Sequence, residues 1–169
     1  MHTFQPYPAR LFECNPFDKI GKETFALTAE YNGKVNTMTA GWGGLGVMWG
    51  SNVVYVVVRD SRYTKEFMDA SDTFSLTFFD REHYHSTLKF LGCVSGRDED
   101  KIKEARLTLQ HEKGIPFFDE GNLVILCRKL SVTPILPQQF TDKEIDKKWY
   151  ADKDYHSLYI GEIVEILAR

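Results

Sequence analysis

Two short runs of this 169-residue chain carry side chains that can do chemistry. The first, Arg59-x-Ser61-Arg62-Tyr63-Thr64, sets two guanidinium groups beside two hydroxyls. Guanidinium donates in pairs to phosphate oxygens and hydroxyls serve the oxygens left over, so the run suits a phosphate. Thr64 can also N-cap a helix starting at Lys65, whose free N–H groups favour an anion. The same charges can instead be spent on surface ion pairs with Asp60, Glu66 and Asp69, and the run by itself leaves both readings open.

The second run, Asn36 to Gly50, reads as a polar and glycine-rich loop. Gly41, Gly43, Gly44, Gly46 and Gly50 allow close backbone approach, and Trp42 and Trp49 add flat aromatic surface. A planar aromatic ligand with a phosphate tail would use both runs. The glycine spacing is not the dinucleotide fingerprint, since no strand–Gly-x-Gly-x-x-Gly–helix unit surrounds it. A flexible loop packed by its own indoles fits the composition equally well. Val53 to Val58, apolar throughout, joins the two runs and predicts a strand covered on both faces.

Together these residues resemble a known family. Asn36-x-Met38-Thr39-x-Gly41-Trp42, Met48-Trp49-Gly50 and Val58-Arg59-x-Ser61-Arg62-Tyr63-Thr64 are similar to the flavin reductase-like proteins of the FMN-binding split-barrel superfamily. Leu91-Gly92-x-x-Ser95-Gly96-Arg97-Asp98-x-Asp100-Lys101 resembles the flavoredoxin-like branch, and His156 to Ile163 resembles the family's C-terminal strand. The likeness runs from about Phe25 to the end of the chain.

The resemblance implies FMN held non-covalently, with NADH or NADPH as its electron donor. It places Arg59, Ser61, Arg62 and Thr64 on the phosphate. Asn36, Thr37, Met38 and Thr39 would address the isoalloxazine edge, through backbone groups and the Thr39 hydroxyl. Trp42 and Trp49 would flank the ring or close its pocket, and Arg97 is a further candidate for the flavin or its donor. His156 would lie near the ring, positioning or tuning hydride transfer; read alone, it is equally a strand-end histidine. Two activities follow from the family: a flavin reductase, and a flavoredoxin-like carrier that passes electrons to a redox protein partner. A homodimer with flavin near its interface is also implied.

The rest of the chain must position these residues. Its length predicts one domain over 1–169, with residues 1–20, rich in proline, as an extended arm. Phe25, Leu27, Ala29 and Tyr31 alternate as a strand, and Asn32-Gly33 turns the chain into a second strand, Lys34 to Met38. A short helix over Lys65 to Ala70 precedes a half-buried strand, Thr73 to Phe78, with Phe74, Leu76 and Phe78 inward. Helices follow at Glu82 to Leu91 and from Asp98. His83 and His85, two apart, point to different sides of the first. Gly114-Ile115-Pro116 breaks the chain, and Asn122 to Cys127 and Leu130 to Leu136 are extended. Thr141 to Trp149 reads as a charged surface helix, and His156 to Leu167 as the closing strand. The fold class predicted is mainly β: an antiparallel, Greek-key split barrel with a few short peripheral helices.

Composition narrows the function classes. A net charge of −3 offers no general attraction for nucleic acid or anionic membrane. Three cysteines, Cys14, Cys93 and Cys127, lack Cys-x-x-Cys spacing and read as reduced thiols of a cytoplasmic protein. The N-terminal segment has no secretory pattern, and no apolar run approaches the roughly 20 residues that span a bilayer. Gly-x-Ser-x-Gly, His-Glu-x-x-His and Walker patterns are missing, which suits a protein whose cofactor carries the chemistry.

Overall fold

Runs of β-branched and aromatic residues dictate the architecture, and the computed structural model describes residues 2–169 of it. In chain order the strands are β1 (Gln5–Pro6), β2 (Phe25–Tyr31), β3 (Lys34–Ala40), β4 (Gly43–Met48) and β5 (Ser51–Arg59). They continue with β6 (Thr73–Phe78), β7 (Leu109–Glu112), β8 (Ile115–Phe118), β9 (Leu123–Pro134) and β10 (His156–Ala168). The α-helices are α1 (Pro16–Asp18), α2 (Tyr63–Ala70), α3 (Arg81–Cys93), α4 (Lys101–Glu104) and α5 (Lys143–Trp149).

The main sheet runs β3-β2-β6-β9-β10-β5-β4, with β1 paired to β10, and β7-β8 forms a separate hairpin. Every strand pair described is antiparallel. The expected mainly β, antiparallel split barrel with few short helices is what the chain forms. Phe25, Leu27, Val56, Phe74, Leu76 and Tyr159 pack at its centre with at most 1% of their surface exposed. A second apolar cluster, including Leu88, Leu91 and Phe118, seats α3 and the β7-β8 hairpin against the sheet.

Several elements differ from the sequence expectation, each for a local reason. The glycine-rich run is not a loop. Gly43 and Gly44 sit in β4 because the chain there lies tight on β5: a Cβ on Gly44 would come 2.6 Å from the Tyr55 ring, and one on Gly43 2.1 Å from the Tyr55 carbonyl. Trp49 and Gly50 form the two-residue turn between β4 and β5, with φ of 53° and 77°. β5 is not covered on both faces, since Tyr55 is 38% exposed. β6 is covered on both: β8 lies over it, and Ser75 donates to the Pro116 carbonyl while Thr77 accepts from the Phe118 N–H. The N-terminal arm holds its place through β1 and short helical turns, and Tyr31, at the end of the alternation that buries Phe25, Leu27 and Ala29, is exposed.

Helix boundaries shift too. α2 begins at Tyr63 with Arg62 in the N-cap position, so Thr64 caps nothing; it is buried in the first turn and accepts from the Asn36 side chain at 2.9 Å. α4 begins at Lys101 rather than Asp98, because the Asp100 carboxylate caps the Lys103 N–H. β9 is continuous through Leu130, and register shifts opposite Gly161 and Ile163 absorb the curvature.

Candidate functional site

The candidate site forms where the ends of β3, β5 and β10 converge. His156, the first residue of β10, is the register partner of Arg59, the last of β5. Beside them β3 delivers Met38, Thr39 and Ala40, the chain continues through Gly41 and Trp42, and α5 ends on Trp149. These residues line a cleft of about 250 Å³ that Val57 and Arg62 also border. A smaller recess of about 100 Å³, lined by Ser61, Thr64, Ser95 and Lys101 among others, shares Met38 and Arg62 with the cleft. The two therefore form the ends of one site, aromatic at one side and cationic at the other.

At the aromatic end Trp42 lies over His156, ring centroids 5.2 Å apart and planes 32° apart, and Trp149 meets Trp42 edge-on at 5.0 Å. The Tyr150 hydroxyl is 2.8 Å from His156 Nδ1. Burial, and then the nearby Arg59 charge, lower the His156 pKa to about 4, so the imidazole is neutral at physiological pH. Arg59 itself is engaged by the segment after α5, donating to the carbonyls of Trp149 and Asp154, each at 2.9 Å. It pins that segment as a wall of the cleft.

At the cationic end Arg62 donates to the Gly92 carbonyl at 3.1 Å, and Lys101, only 5% exposed, donates to the Leu91 carbonyl at 3.0 Å. Neither cation has a carboxylate partner among the described residues. Burial, and then the Arg62 charge, push the Lys101 pKa down to about 8. A buried ammonium beside a guanidinium, with hydroxyls at hand, is an arrangement that an anion completes. The Ser95–Arg97 loop closes over this end because residue 96 is glycine: a Cβ there would stand 2.1 Å from Asn36 Oδ1.

The structure brings together Met38, Thr39, Trp42, Arg59, Arg62 and His156 in the cleft, and Ser61, Arg62 and Thr64 in the recess. Ser61 is already engaged, its N–H and hydroxyl both donating to the Asp154 carboxylate, at 2.9 and 2.6 Å. Asn36 is buried and braces Thr64. Thr37 lies on the face of β3 turned away from the barrel core, bonded to Thr28 and the Leu27 carbonyl, and two residues on, the Thr39 hydroxyl is spent on the Leu88 carbonyl of α3. Trp49, at its hairpin tip and 66% exposed, does not reach the cleft. Arg97 stacks on the Tyr63 ring at 4.8 Å and pairs with Glu66.

Four contributors were not assigned from sequence: Lys101, Trp149, Tyr150 and Asp154. Lys101 stood within the motif Ser95-Gly96-Arg97-Asp98-x-Asp100-Lys101, and its place at the start of α4 was the available signal. The other three sit at or after the end of a charged helix, and no local pattern marks them.

The family model described as "Flavin reductase like domain" matches residues 17–169. Among solved structures the chain is similar to flavoredoxin from Methanosarcina acetivorans, at 22% identity and TM-score 0.68, covering 87% of this chain and 68% of that one. It is also similar to an FMN-binding domain of flavin reductases-like enzyme from Shewanella baltica, at 16% identity and TM-score 0.71, over 98% and 77% of the two chains. A putative flavin reductase with split barrel domain from Shewanella frigidimarina aligns at 13% identity and TM-score 0.69, over 88% and 67%. No curated protein matches the chain.

Proposed function

The chain belongs to the flavin reductase like domain family, and from that premise we propose that it binds FMN and serves as an NAD(P)H-dependent flavin reductase. The observation that carries the reading is the Arg62–Lys101 pair, an exposed guanidinium and a buried ammonium at one end of an aromatic cleft, neither with a carboxylate partner among the described residues. Arg62 and Lys101 would hold the phosphate, with Thr64 and Ser95 nearby. Ser61 and Arg59 join them only where Asp154 releases them. Met38 and the backbone from Thr39 to Trp42 would meet the ring, and Trp42 and Trp149 would shield it from water. When bound, FMN supplies a two-electron acceptor, so the protein needs no nucleophile or metal ligand of its own. His156, neutral, would position the partner molecule rather than exchange a proton.

The test has two stages. Titration should give at least tenfold tighter binding of FMN than of riboflavin, since each charge-assisted hydrogen bond contributes roughly 1.5–3 kcal/mol. Anaerobic mixing of the FMN-loaded protein with NADH or NADPH should bleach the flavin; binding without bleaching points instead to an electron carrier. One observation favours that second reading: Trp42 and Trp149 are 44% and 45% exposed at the cleft mouth, where a redox protein partner could dock.

A homodimer is part of the proposal. Tyr55 and Val57 of β5 are register partners of Ile160 and Leu158 of β10, so the four share one face, and Val47 and Met48 of β4 are exposed nearby. An apolar face of this kind suits a two-fold partner. A cytoplasmic setting accords with three free cysteines and with the supply of reduced nicotinamide there.

A further inference from the structure

His156 has one ring nitrogen engaged and one open. Nδ1 meets the Tyr150 hydroxyl at 2.8 Å, and Nε2 has no partner among the described residues. The imidazole lines the cleft with Trp42 and Trp149. Tyr150 is held firmly: it is 4% exposed and stacked between Phe140 and Tyr155, at 5.7 and 4.8 Å, with the Arg59 guanidinium 5.4 Å from its ring. Its hydroxyl has no other partner among the described residues.

The chemistry of the two groups fixes the direction of this bond. A phenol is a stronger donor than a neutral imidazole N–H, and the unprotonated imidazole nitrogen is a stronger acceptor than a phenol oxygen. The Tyr150 O–H therefore donates to Nδ1, and the ring proton belongs to Nε2.

We propose that Tyr150 is a positioning residue that locks His156 in its Nε2–H form, and that this N–H is the cleft's donor to a carbonyl oxygen on a planar ligand. The opposite tautomer would set a lone pair against that oxygen. Only the identity of the ligand rests on the function proposed above; under it, the carbonyl is the carboxamide of the nicotinamide or a carbonyl of the flavin. The neutral state of the imidazole, imposed by burial and Arg59, keeps the donor present through the physiological range without making it an acid.

The first experiment needs no cofactor. In ligand-free protein with ¹⁵N-labelled histidine, long-range ¹⁵N–¹H correlation should show Nε2 protonated and Nδ1 bare at pH 7. Tyr150→Phe, which keeps the ring stack, should give a mixture of tautomers. A protonated Nδ1 in the wild-type protein, or an unchanged spectrum in Tyr150→Phe, overturns the proposal. The second experiment uses FMN-loaded protein, and the loss of one neutral hydrogen bond should cost about three- to tenfold. A raised KM for the nicotinamide with unchanged FMN Kd assigns the carbonyl to the donor; a raised FMN Kd with unchanged KM assigns it to the flavin. If neither moves, or if Tyr150→Phe costs as much in a His156→Ala background, the donor role is wrong. Should wild-type protein fail to be reduced at all, the reductase reading falls while the tautomer spectra still decide this one.

Discussion

The indoles of Trp42 and Trp149 meet edge to face, centroids 5.0 Å apart and planes at 86°, across the mouth of the cleft that holds His156. One follows the end of β3 and the other ends α5, so the contact ties a barrel strand to a helix that otherwise lies on the surface. Arg59 completes the tie by bonding the Trp149 and Asp154 carbonyls. The helix at 143–149 is thereby a wall of the site.

This arrangement predicts which of the three tryptophans reports on the ligand. FMN titration should quench Trp42 and Trp149 fluorescence by contact and energy transfer, so Trp42→Phe and Trp149→Phe should each remove part of the quench. Trp49→Phe should leave it unchanged at protein concentrations that keep the chain monomeric. A quench from Trp49 that appears only at higher concentration would mean that a second copy brings its hairpin to the flavin.

The site was legible in sequence where its residues lie on one continuous segment. Met38, Thr39, Trp42, Arg59 and Arg62 lie within 25 residues of one another, and their types alone suggested an aromatic and a cationic end. The β2-β3 hairpin was legible for a similar reason, since Asn32-Gly33 is a local turn signal. What escaped depends on contacts at long range. Thr64 has the side chain of a cap, but Asn36, 28 positions away, takes its hydroxyl. Ser75 and Thr77 look like the wet side of β6 until β8, about 40 residues on, covers them. Trp49 and Trp149 exchange roles because a two-residue turn carries the first away, and no local pattern reveals where α5 docks.

Replacing Lys101 is the direct test of the cationic end. Lys101→Met keeps the buried stem and removes the charge. FMN affinity should fall tenfold or more, riboflavin affinity should hold, and the thermal midpoint should not drop, because the buried cation removed has only the Leu91 carbonyl, and no carboxylate among the described residues, to offset its lost hydration. Arg62→Ala should weaken FMN to a similar degree. Equal effects of Lys101→Met on FMN and riboflavin would remove Lys101 from the phosphate.

The same lysine predicts a pH dependence. Its pKa is lowered in the folded, ligand-free chain from 10.5 to about 8, so the folded state holds this proton less tightly than the unfolded one. Lys101 therefore costs stability below pH 8, and the cost is relieved as pH rises from about 8 toward 10.5. Phosphate binding runs the other way, since it needs the protonated form. FMN affinity should be level below about pH 7, be down about twofold by pH 8 and fall as much as about tenfold per unit above that, whereas riboflavin affinity should stay level. Isothermal titration in two buffers should also show proton uptake on FMN binding at pH 9, absent in Lys101→Met.

The apolar face of β5 and β10 predicts self-association. Tyr55→Glu would place a charge on that face, and light scattering should then give a mass near 19.5 kDa where the wild-type protein should give twice that. A wild-type protein already monomeric at tens of micromolar would end the dimer proposal.

Asp154 is the sharpest discriminator between the two ends. Its carboxylate takes the Ser61 N–H and hydroxyl, and lies 3.8 Å from Arg59, so it occupies two of the four groups that the sequence marks for phosphate. A carboxylate there would also repel a dianion nearby. Asp154→Asn should therefore tighten FMN binding by about two- to tenfold, within the range of one hydrogen bond or one screened charge, with little change for riboflavin. Arg59→Ala separates the remaining roles. If Arg59 joins the phosphate, its loss weakens FMN and spares riboflavin. Its bonds to the Trp149 and Asp154 carbonyls instead make it the anchor of the cleft wall, and on that ground both flavins should lose affinity together. Parallel titrations of the two variants with both flavins decide it: a selective loss of FMN in Arg59→Ala, joined to a tighter Asp154→Asn, would bring Arg59 and Ser61 back to the phosphate.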